Sequence, residues 1–237
     1  MYNKRGETMD ILKTGKRILK TIEDASFEAY FVGGVVRDYL LGYPIQDVDI
    51  TTSATPDEIE TLFPGAIPTG KAFGTMTVLK DGFAYEITTY RVDGVYENHR
   101  KPESITFATN VKEDLKRRDF TINQLLMDQT GEIIDTFGGL LDLESKIIRT
   151  IGDPRTRFQE DALRLLRAFR FMAKLGFEIE PKTLKAIEEN ATLIQNVSIE
   201  RIQSELGKML GYPTLKPTLS LMIEAGFAHA LYGVDTG

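Results

Sequence analysis

The hydrophobic and polar positions change their period along the chain, and this change predicts two successive kinds of structure. After an amphipathic helix over residues 10–24, short strand-like runs alternate with short helices as far as about residue 140. From there to the end, long helical patterns dominate. The sequence therefore predicts an α+β fold, with a small mixed β-sheet domain over residues 1–145 followed by an all-helical domain over residues 146–237.

Local signals in the first domain assign individual elements. We expect strands over 27–32, 46–52, 74–80, 83–91 and 131–137, and helices over 35–42, 55–63 and from 111 onward. Ser53 or Thr55 lies near a helix cap with Pro56 in the first turn, and Asp81-Gly82 is a strong hairpin signal. Residues 92–103 are polar and predict an irregular, mobile segment.

Composition narrows the classes of function. The 237 residues include no cysteine and two histidines, which argues against disulfides, a catalytic thiol and a histidine-rich zinc centre. No run approaches 18 apolar residues and the N-terminus lacks a signal-like apolar segment, so we expect a cytoplasmic protein without membrane contact. Residues 1–150 hold 18 basic and 24 acidic side chains, a net charge of −6, whereas residues 151–237 hold 11 of each. The acidic first part fits a site that gathers cations.

The segment IQDVDITT, residues 45–52, places two aspartates two positions apart in a predicted strand. Because successive strand side chains alternate between faces, we expect Asp47 and Asp49 on one face with Cα atoms roughly 6.5–7 Å apart. At an effective dielectric of ~20, two such charges repel by ~2 kcal/mol. A bound cation would offset this cost. The simpler alternative is a hydrogen-bonded surface strand that carries two aspartates by chance.

Three further segments favour a cation and phosphate site. In AYFVGGVVRD, a strand, two glycines and a helix start would leave the N–H groups around Gly33 and Gly34 for a phosphate, with Arg37 one turn into the helix. In FAYEITTYR, Glu86 would complete a three-carboxylate cluster suited to Mg²⁺ if this strand lies beside residues 46–52. LKRRDFTIN adds a basic pair. Singly, each has a structural explanation: a glycine turn, an outward-facing acid or a solvated helix end. Together they suit phosphoryl or nucleotidyl transfer.

A helix predicted over residues 158–177 carries a different signal. One arc of it is apolar and predicts core contact: Leu165, Leu166, Phe169, Met172 and Ala173. Outside that arc lie Asp161, Arg164, Arg167 and Arg170. Asp161 and Arg164, three positions apart, are either a surface ion pair or a reader of base edges. A carboxylate acceptor beside a guanidinium donor would accept cytosine or adenine and reject uracil or guanine.

These motifs, GGVVRD with DVD, then RRDFTIN and EDALRLLR, resemble the bacterial class II tRNA nucleotidyltransferases, the CCA-adding enzymes, and their poly(A) polymerase relatives. The resemblance runs from about residue 28 to 210 and implies a nucleotidyltransferase head followed by a helical neck. It implies Mg²⁺ as cofactor, CTP and ATP as substrates and the tRNA 3′ end as partner, with no protein partner. The implied roles are metal binding and catalysis by Asp47 and Asp49 with Glu86 as third acid, nucleotide binding by Gly33, Gly34, Arg37 and Arg118, and nucleotide recognition by Asp161, Arg164, Arg167 and Arg170.

The chain departs from that family's pattern in places. Gln124 stands where alanine is expected, and Thr136 stands where proline is usual. The family's enzymes continue into body and tail domains that hold tRNA, so we expect an incomplete tRNA grip here. Residues 91–103 resemble the family's flexible loop, linked there to the change from C to A addition. CCA addition is the expected reaction, and CC-only, A-only and poly(A) addition share the motifs.

Two hypotheses from other classes remain at this stage. DVDIT also fits the DxDxT signature of aspartyl-phosphate phosphatases, in which the first aspartate is the nucleophile. In that class of phosphatase an apolar strand leads directly into the first aspartate, whereas the residues YPIQ precede it here. The second is a non-catalytic module that binds nucleotide or RNA. Binding of CTP and ATP without transfer to any RNA would favour it.

Overall fold

The protein has an α+β fold, seen in a computed structural model that describes residues 4–94, 96–97, 101–102 and 104–232. Its strands are β1 (Ala29–Val32), β2 (Val48–Thr52), β3 (Ile67–Gly70), β4 (Thr75–Lys80), β5 (Phe83–Thr89), β6 (Arg91–Asp93), β7 (Tyr96–Glu97), β8 (Lys101–Pro102), β9 (Ile105–Phe107), β10 (Leu126–Met127), β11 (Ile133–Ile134), β12 (Ile147–Ile148) and β13 (Glu178–Ile179). Its helices are α1 (Lys4–Asp24), α2 (Gly34–Leu40), α3 (Pro56–Leu62), α4 (Val111–Lys116), α5 (Gly139–Glu144), α6 (Pro154–Glu160), α7 (Leu163–Leu175), α8 (Pro181–Asn190), α9 (Ile199–Met209), α10 (Leu215–Glu224) and α11 (Phe227–Tyr232).

The described residues form two compact units. The first comprises those within Met1–Val92, Ile105–Arg118 and Ile122–Leu140, and the second those within Asp93–Ser104, Asp119–Thr121 and Leu141–Gly237. The first unit contains the mixed sheet, and the second contains α6 to α11 and the short parallel pair of β12 and β13. Two internal segments thus group with the second unit, so the division is more interleaved than a single boundary at residue 145. That boundary stays a prediction.

The sheet of the first unit has seven strands in the order β11-β10-β1-β2-β5-β4-β3. Its strands pair antiparallel except for β2 and β5, which are parallel. Alternate residues of this central pair are buried on one face, among them Ile50 and Tyr85. The hydroxyl of Tyr85 donates to the carbonyl of Ile11 in α1 at 2.8 Å, so α1 lies against that face. The intervening residues of β2 and β5 point to the other face.

Two local predictions are confirmed in detail. The β4–β5 hairpin turns at Asp81 and Gly82, whose φ angles of 53° and 83° are those of the turn that suits twisted hairpin strands. Thr55 caps α3: its hydroxyl accepts from the N–H of Glu58, and the Glu58 carboxylate accepts from the N–H of Thr55 at 2.7 Å. Pro56 occupies the first helical position. Both features depend on residues adjacent in sequence, which is why the sequence predicts them well.

Other boundaries differ from the prediction. Helix α1 begins at Lys4, earlier than residue 10, and β2 begins at Val48, later than residue 46. The ladder of β2 with β5 starts at the pair Val48 and Tyr85, so the residues before Val48 belong to the connection from α2. Within the predicted irregular segment 92–103, β7 and β8 pair antiparallel. The prediction for its residues 95, 98–100 and 103 lies outside the described residues.

The helix predicted over residues 158–177 is two helices, α6 and α7, separated at Asp161 and Ala162. Asp161 has extended backbone angles, φ −137° and ψ 103°, and its Oδ1 accepts the N–H of Leu163 at 3.2 Å. An aspartate that bonds to a nearby backbone N–H competes with the helix, and this competition explains the break. The residues of the predicted apolar arc lie on α7 and are buried, except for Met172, which is half-buried. In this unit Phe169 packs edge to face with Phe227, with ring centroids 5.2 Å apart.

Candidate active site

Two of the predicted acids lie side by side on the face of the sheet opposite that of Ile50 and Tyr85. Asp49 of β2 and Glu86 of β5 are directly paired in the parallel ladder, and neighbouring strands lie about 4.8 Å apart. Glu86 is exposed and Asp49 is half-buried. The condition set by the sequence, that the strand of Glu86 lies beside the strand of Asp49, is therefore met.

Asp47 lies outside this pair. It is exposed and precedes β2, so the strand alternation that would place it on the face of Asp49 does not extend to it. Among the described residues, no group of three or more histidine, aspartate or glutamate side chains is arranged so that it could hold a metal ion. The predicted three-carboxylate cluster is thus not assembled here.

The two glycines form the bend between β1 and α2, where the prediction placed a phosphate site. Gly33 has φ 77° and ψ −128°, a conformation that side chains with a Cβ rarely adopt. A Cβ at Gly33 would lie 3.5 Å from Nη1 of Arg118 and 3.7 Å from Oδ2 of Asp49. Gly34 begins α2, and the first N–H groups of a helix have no partner within it. Backbone donors, a carboxylate and a guanidinium therefore meet at this bend.

Arg37 is held inside the protein. Its Nε donates to Oδ1 of Asp38 at 2.8 Å, and its Nη1 donates to Oδ1 of Asn123 at 2.5 Å. Its Nη2 lies 3.7 Å from the position of a Cβ on Gly34, so the guanidinium does reach the bend. The sequence predicted its nearness to the glycines and missed Asp38 and Asn123, which orient it.

Arg118 follows α4 and is held by Asp114, an acid that the sequence motifs did not indicate. Nη2 of Arg118 donates to Oδ2 of Asp114 at 3.2 Å, and Arg117 pairs with the same carboxylate. Burial raises the pKa of Asp114, but the charges of Arg118 and Arg117 outweigh it and hold this pKa below its ordinary value. Burial lowers the pKa of Arg118, and the charges of Asp114 and Asp49 offset this only in part. The spacing of Asp114 four positions before Arg118 was the available signal.

In the second unit, Asp161 and Arg164 have different partners from those expected of a side-by-side pair on one helix. Oδ1 of Asp161 accepts from the N–H of Leu163, the first residue of α7, and Oδ2 forms an ion pair with Arg201 at 3.5 Å. Arg164 is buried, and its Nη1 donates to the carbonyl of Arg157 and to Oε2 of Glu160, both at 2.8 Å. Because Arg164 is buried, the alternative of a surface ion pair between the two residues is wrong.

Arg167 and Arg170 flank the ring of Phe171, with their guanidinium carbons 5.5 and 4.4 Å from its centroid. Nε of Arg167 donates to Asp119 at 2.7 Å, and Nε of Arg170 donates to Glu205 at 2.5 Å. Burial lowers the pKa of Arg167, but the charge and hydrogen bond of Asp119 outweigh it and raise this pKa above its ordinary value. Both guanidinium groups are therefore held in place, each by an acid and by the ring of Phe171. The sequence did not indicate Glu205, which lies distant in the chain on α9.

Comparison with protein families matches two parts of the chain. Residues 29–149 match the poly A polymerase head domain, and residues 176–232 match a family described as the probable RNA and SrmB-binding site of polymerase A. None of the described helices combines the length and apolar character needed to cross a membrane.

Curated relatives and solved structures agree with these matches. The CCA-adding enzyme of Geobacillus thermodenitrificans is 50% identical over 92% of this chain and 54% of the relative, and that of Lactobacillus helveticus is 53% identical over 84% and 50%. The CCA-adding enzyme of Bacillus stearothermophilus in complex with CTP superimposes with a TM-score of 0.87 at 44% identity, covering 94% of this chain and 54% of that one. The Thermotoga maritima CCA-adding enzyme complexed with tRNA gives 0.79 at 28% identity, covering 94% and 53%. The chain spans about half the length of the relatives it matches.

Proposed function

The chain belongs to the family of bacterial tRNA nucleotidyltransferases and poly(A) polymerases, and on that premise we propose that it adds C and A to the 3′ end of tRNA from CTP and ATP. The observation that carries this proposal is the meeting of Asp49, Arg118 and the Gly33 backbone at one bend, with Glu86 paired to Asp49. An acid pair beside phosphate-binding donors is the equipment that nucleotidyl transfer needs.

Nucleotidyltransferases of this family normally use a divalent metal, and we propose Mg²⁺ in this protein. The chemistry of the donors fits: Asp47, Asp49 and Glu86 offer hard carboxylate oxygens, and the chain has no cysteine to favour a softer ion. Asp47 and Asp49 would hold the metal, with Glu86 as the third acid, once a cation offsets their mutual repulsion and draws the three carboxylates together. When bound, Mg²⁺ supplies charge neutralisation at the phosphates and lowers the pKa of the attacking hydroxyl.

The remaining steps fall to the protein's own groups. N–H groups at Gly33 and Gly34 would hold phosphate oxygens, and Arg37 and Arg118 would offset their charge. In the reaction the 3′-oxygen of the RNA bonds to the α-phosphorus, the bond from that phosphorus to the leaving pyrophosphate breaks, and the hydroxyl proton is lost. Because no protein nucleophile is involved, positioning and charge neutralisation supply the acceleration.

We assign the catalytic role to a head over residues 1–145 and base selection to a neck over residues 146–237. In the neck, Asp161 would accept from the amino group of cytosine or adenine, and Arg164, Arg167 and Arg170 would complete nucleotide recognition. The fixed positions of Arg167 and Arg170 around Phe171 support a preformed recognition surface. A tRNA substrate would place the protein in the cytoplasm.

Nucleotide selectivity tests the proposal. Calorimetric binding of CTP, ATP, UTP and GTP in Mg²⁺ should detect the first two alone, and Asp161→Ala should lose this selectivity. Asp153→Ala is a matched control, since the Asp153 side chain likewise accepts a backbone N–H at the start of a helix, that of Thr156 at 3.1 Å. It should bind nucleotides as the wild type does.

Each other outcome points to a different conclusion. Equal binding of all four nucleotides would remove base recognition from Asp161, and absence of binding would overturn the proposed function. If CTP and ATP bind but no RNA is extended, the protein is a binding module. Extension assays on tRNA then separate CCA addition from CC-only, A-only and poly(A) synthesis.

A further inference from the structure

The carboxylate of Asp114 joins several parts of the first unit. Its Oδ2 accepts from the hydroxyl of Thr51 and from Nη2 of Arg118, each at 3.2 Å. Its Oδ1 accepts from Nε of Arg117 at 2.9 Å and from the backbone N–H of Arg91 at 3.3 Å. These donors come from β2, from the first residue of β6 and from the two positions that follow α4. One side chain thus connects the strand of Asp49 to a phosphate-binding arginine.

Its environment keeps this carboxylate charged and fixed. Asp114 is fully buried, and a buried charge is costly unless charged or polar partners surround it. Two guanidinium groups, a hydroxyl and a backbone N–H supply such partners. With both oxygens engaged, the side chain has little freedom to turn.

The fixed carboxylate determines where Arg118 points. A guanidinium is planar and presents its N–H donors in a rigid fork, so holding one nitrogen orients the others. Asp114 holds Nη2, and Nη1 lies 3.5 Å from the position of a Cβ on Gly33. The same position is 3.7 Å from Oδ2 of Asp49. Arg118 therefore presents its second nitrogen to the bend that carries the proposed phosphate site.

We propose that Asp114 is a positioning residue for nucleotide binding: it orients Arg118 toward the bend at Gly33 without touching the nucleotide itself. The inference rests on the proposed function, because it requires that Arg118 contact a triphosphate. It goes further in assigning part of the affinity for that triphosphate to a buried acid that holds the other terminal nitrogen of the same guanidinium group.

A double-mutant cycle tests this proposal, with CTP binding in Mg²⁺ measured by calorimetry on the full chain. Asp114→Asn keeps the shape of the side chain and removes its charge, and we expect CTP affinity to fall roughly tenfold, as for loss of a charged hydrogen bond. Arg118→Gln should lower it by at least as much. In the Arg118→Gln background, Asp114→Asn should have no further effect, because no arginine remains to be oriented.

Glu113→Gln is the matched control. Glu113 neighbours Asp114 on α4, but its side chain is 44% exposed and pairs with Lys116 at 2.6 Å, so CTP affinity should equal that of the wild type. Should Asp114→Asn fail to fold, Asp114→Glu keeps the charge on a longer side chain and should weaken CTP binding only while Arg118 is present.

The outcomes distinguish a failure of the positioning role of Asp114 from a failure of the proposed function. Unchanged CTP affinity in Asp114→Asn would overturn the positioning role. So would an equal loss in both backgrounds, since Asp114 would then act through general structure. If the wild type binds neither CTP nor ATP, the proposed function fails and the positioning role falls with it.

Discussion

Replacing Gly33 by alanine probes the bend on which the proposed site depends. With φ 77° and ψ −128°, a residue with a Cβ would carry backbone strain on the order of 1–3 kcal/mol. The nearest atoms to the added Cβ, at 3.5 and 3.7 Å, are at ordinary contact distances, so steric overlap adds little. The reduced freedom of the unfolded chain returns ~0.4–1 kcal/mol. We therefore expect a net loss of about 1–2 kcal/mol in the free energy of unfolding, measured by urea denaturation.

The same substitution should weaken CTP binding, because relief of the strain would rotate the N–H groups proposed to hold the phosphates. Gly42→Ala is the control. Gly42 has φ 68° with no atom within 4 Å of an added Cβ, and it lies just beyond the other end of α2. It should lose stability with CTP affinity unchanged. Wild-type CTP affinity in Gly33→Ala would refute the role assigned to this backbone.

Two further predictions concern an exposed acid and a buried tyrosine. Asp47→Asn should abolish nucleotide transfer and change the melting temperature only slightly, as is typical of surface substitutions. The control Asp10→Asn, also at an exposed aspartate, should change the melting temperature as little and keep full activity. Transfer by Asp47→Asn would remove Asp47 from the mechanism. Burial raises the pKa of Tyr85 from 10.0 to about 12. Because the pKa of Tyr85 is higher in the folded protein, its neutral phenol contributes fully to the free energy of unfolding below pH 10, and this contribution is lost as the pH rises toward 12. Tyr85→Phe should therefore flatten the decline of the unfolding free energy between pH 10 and 12. An unchanged decline would contradict the assignment to Tyr85.

The sequence predicted best the features that neighbouring residues determine. The turn at Asp81 and Gly82 and the cap at Thr55 follow from backbone preferences and from bonds within four positions. The pairing of Asp49 with Glu86 required one assumption, that their two strands are neighbours, and the motifs supplied a reason to make it.

The errors have physical causes of two kinds. Periodicity predicted one helix through Asp161, where a local carboxylate to backbone bond overrode the helical pattern. The partners of buried charges were not predictable from local pattern, because Thr51 meets Asp114 and Arg170 meets Glu205 only after the chain has folded back on itself. Arg164 shows the same effect, since its place on the helix did not reveal that it would be buried.

The parallel pairing of β2 and β5 has a consequence for how the protein folds. Parallel neighbours cannot be joined by a tight turn, and here the connection contains α3, β3 and β4. Asp49 and Glu86 therefore meet only after a long loop has closed, a step that slows folding relative to local helix formation. On refolding, the ability to bind a nucleotide should appear after α1 and the β4–β5 hairpin have formed. Nucleotide binding would thus report completion of the native topology, whereas helical content would not.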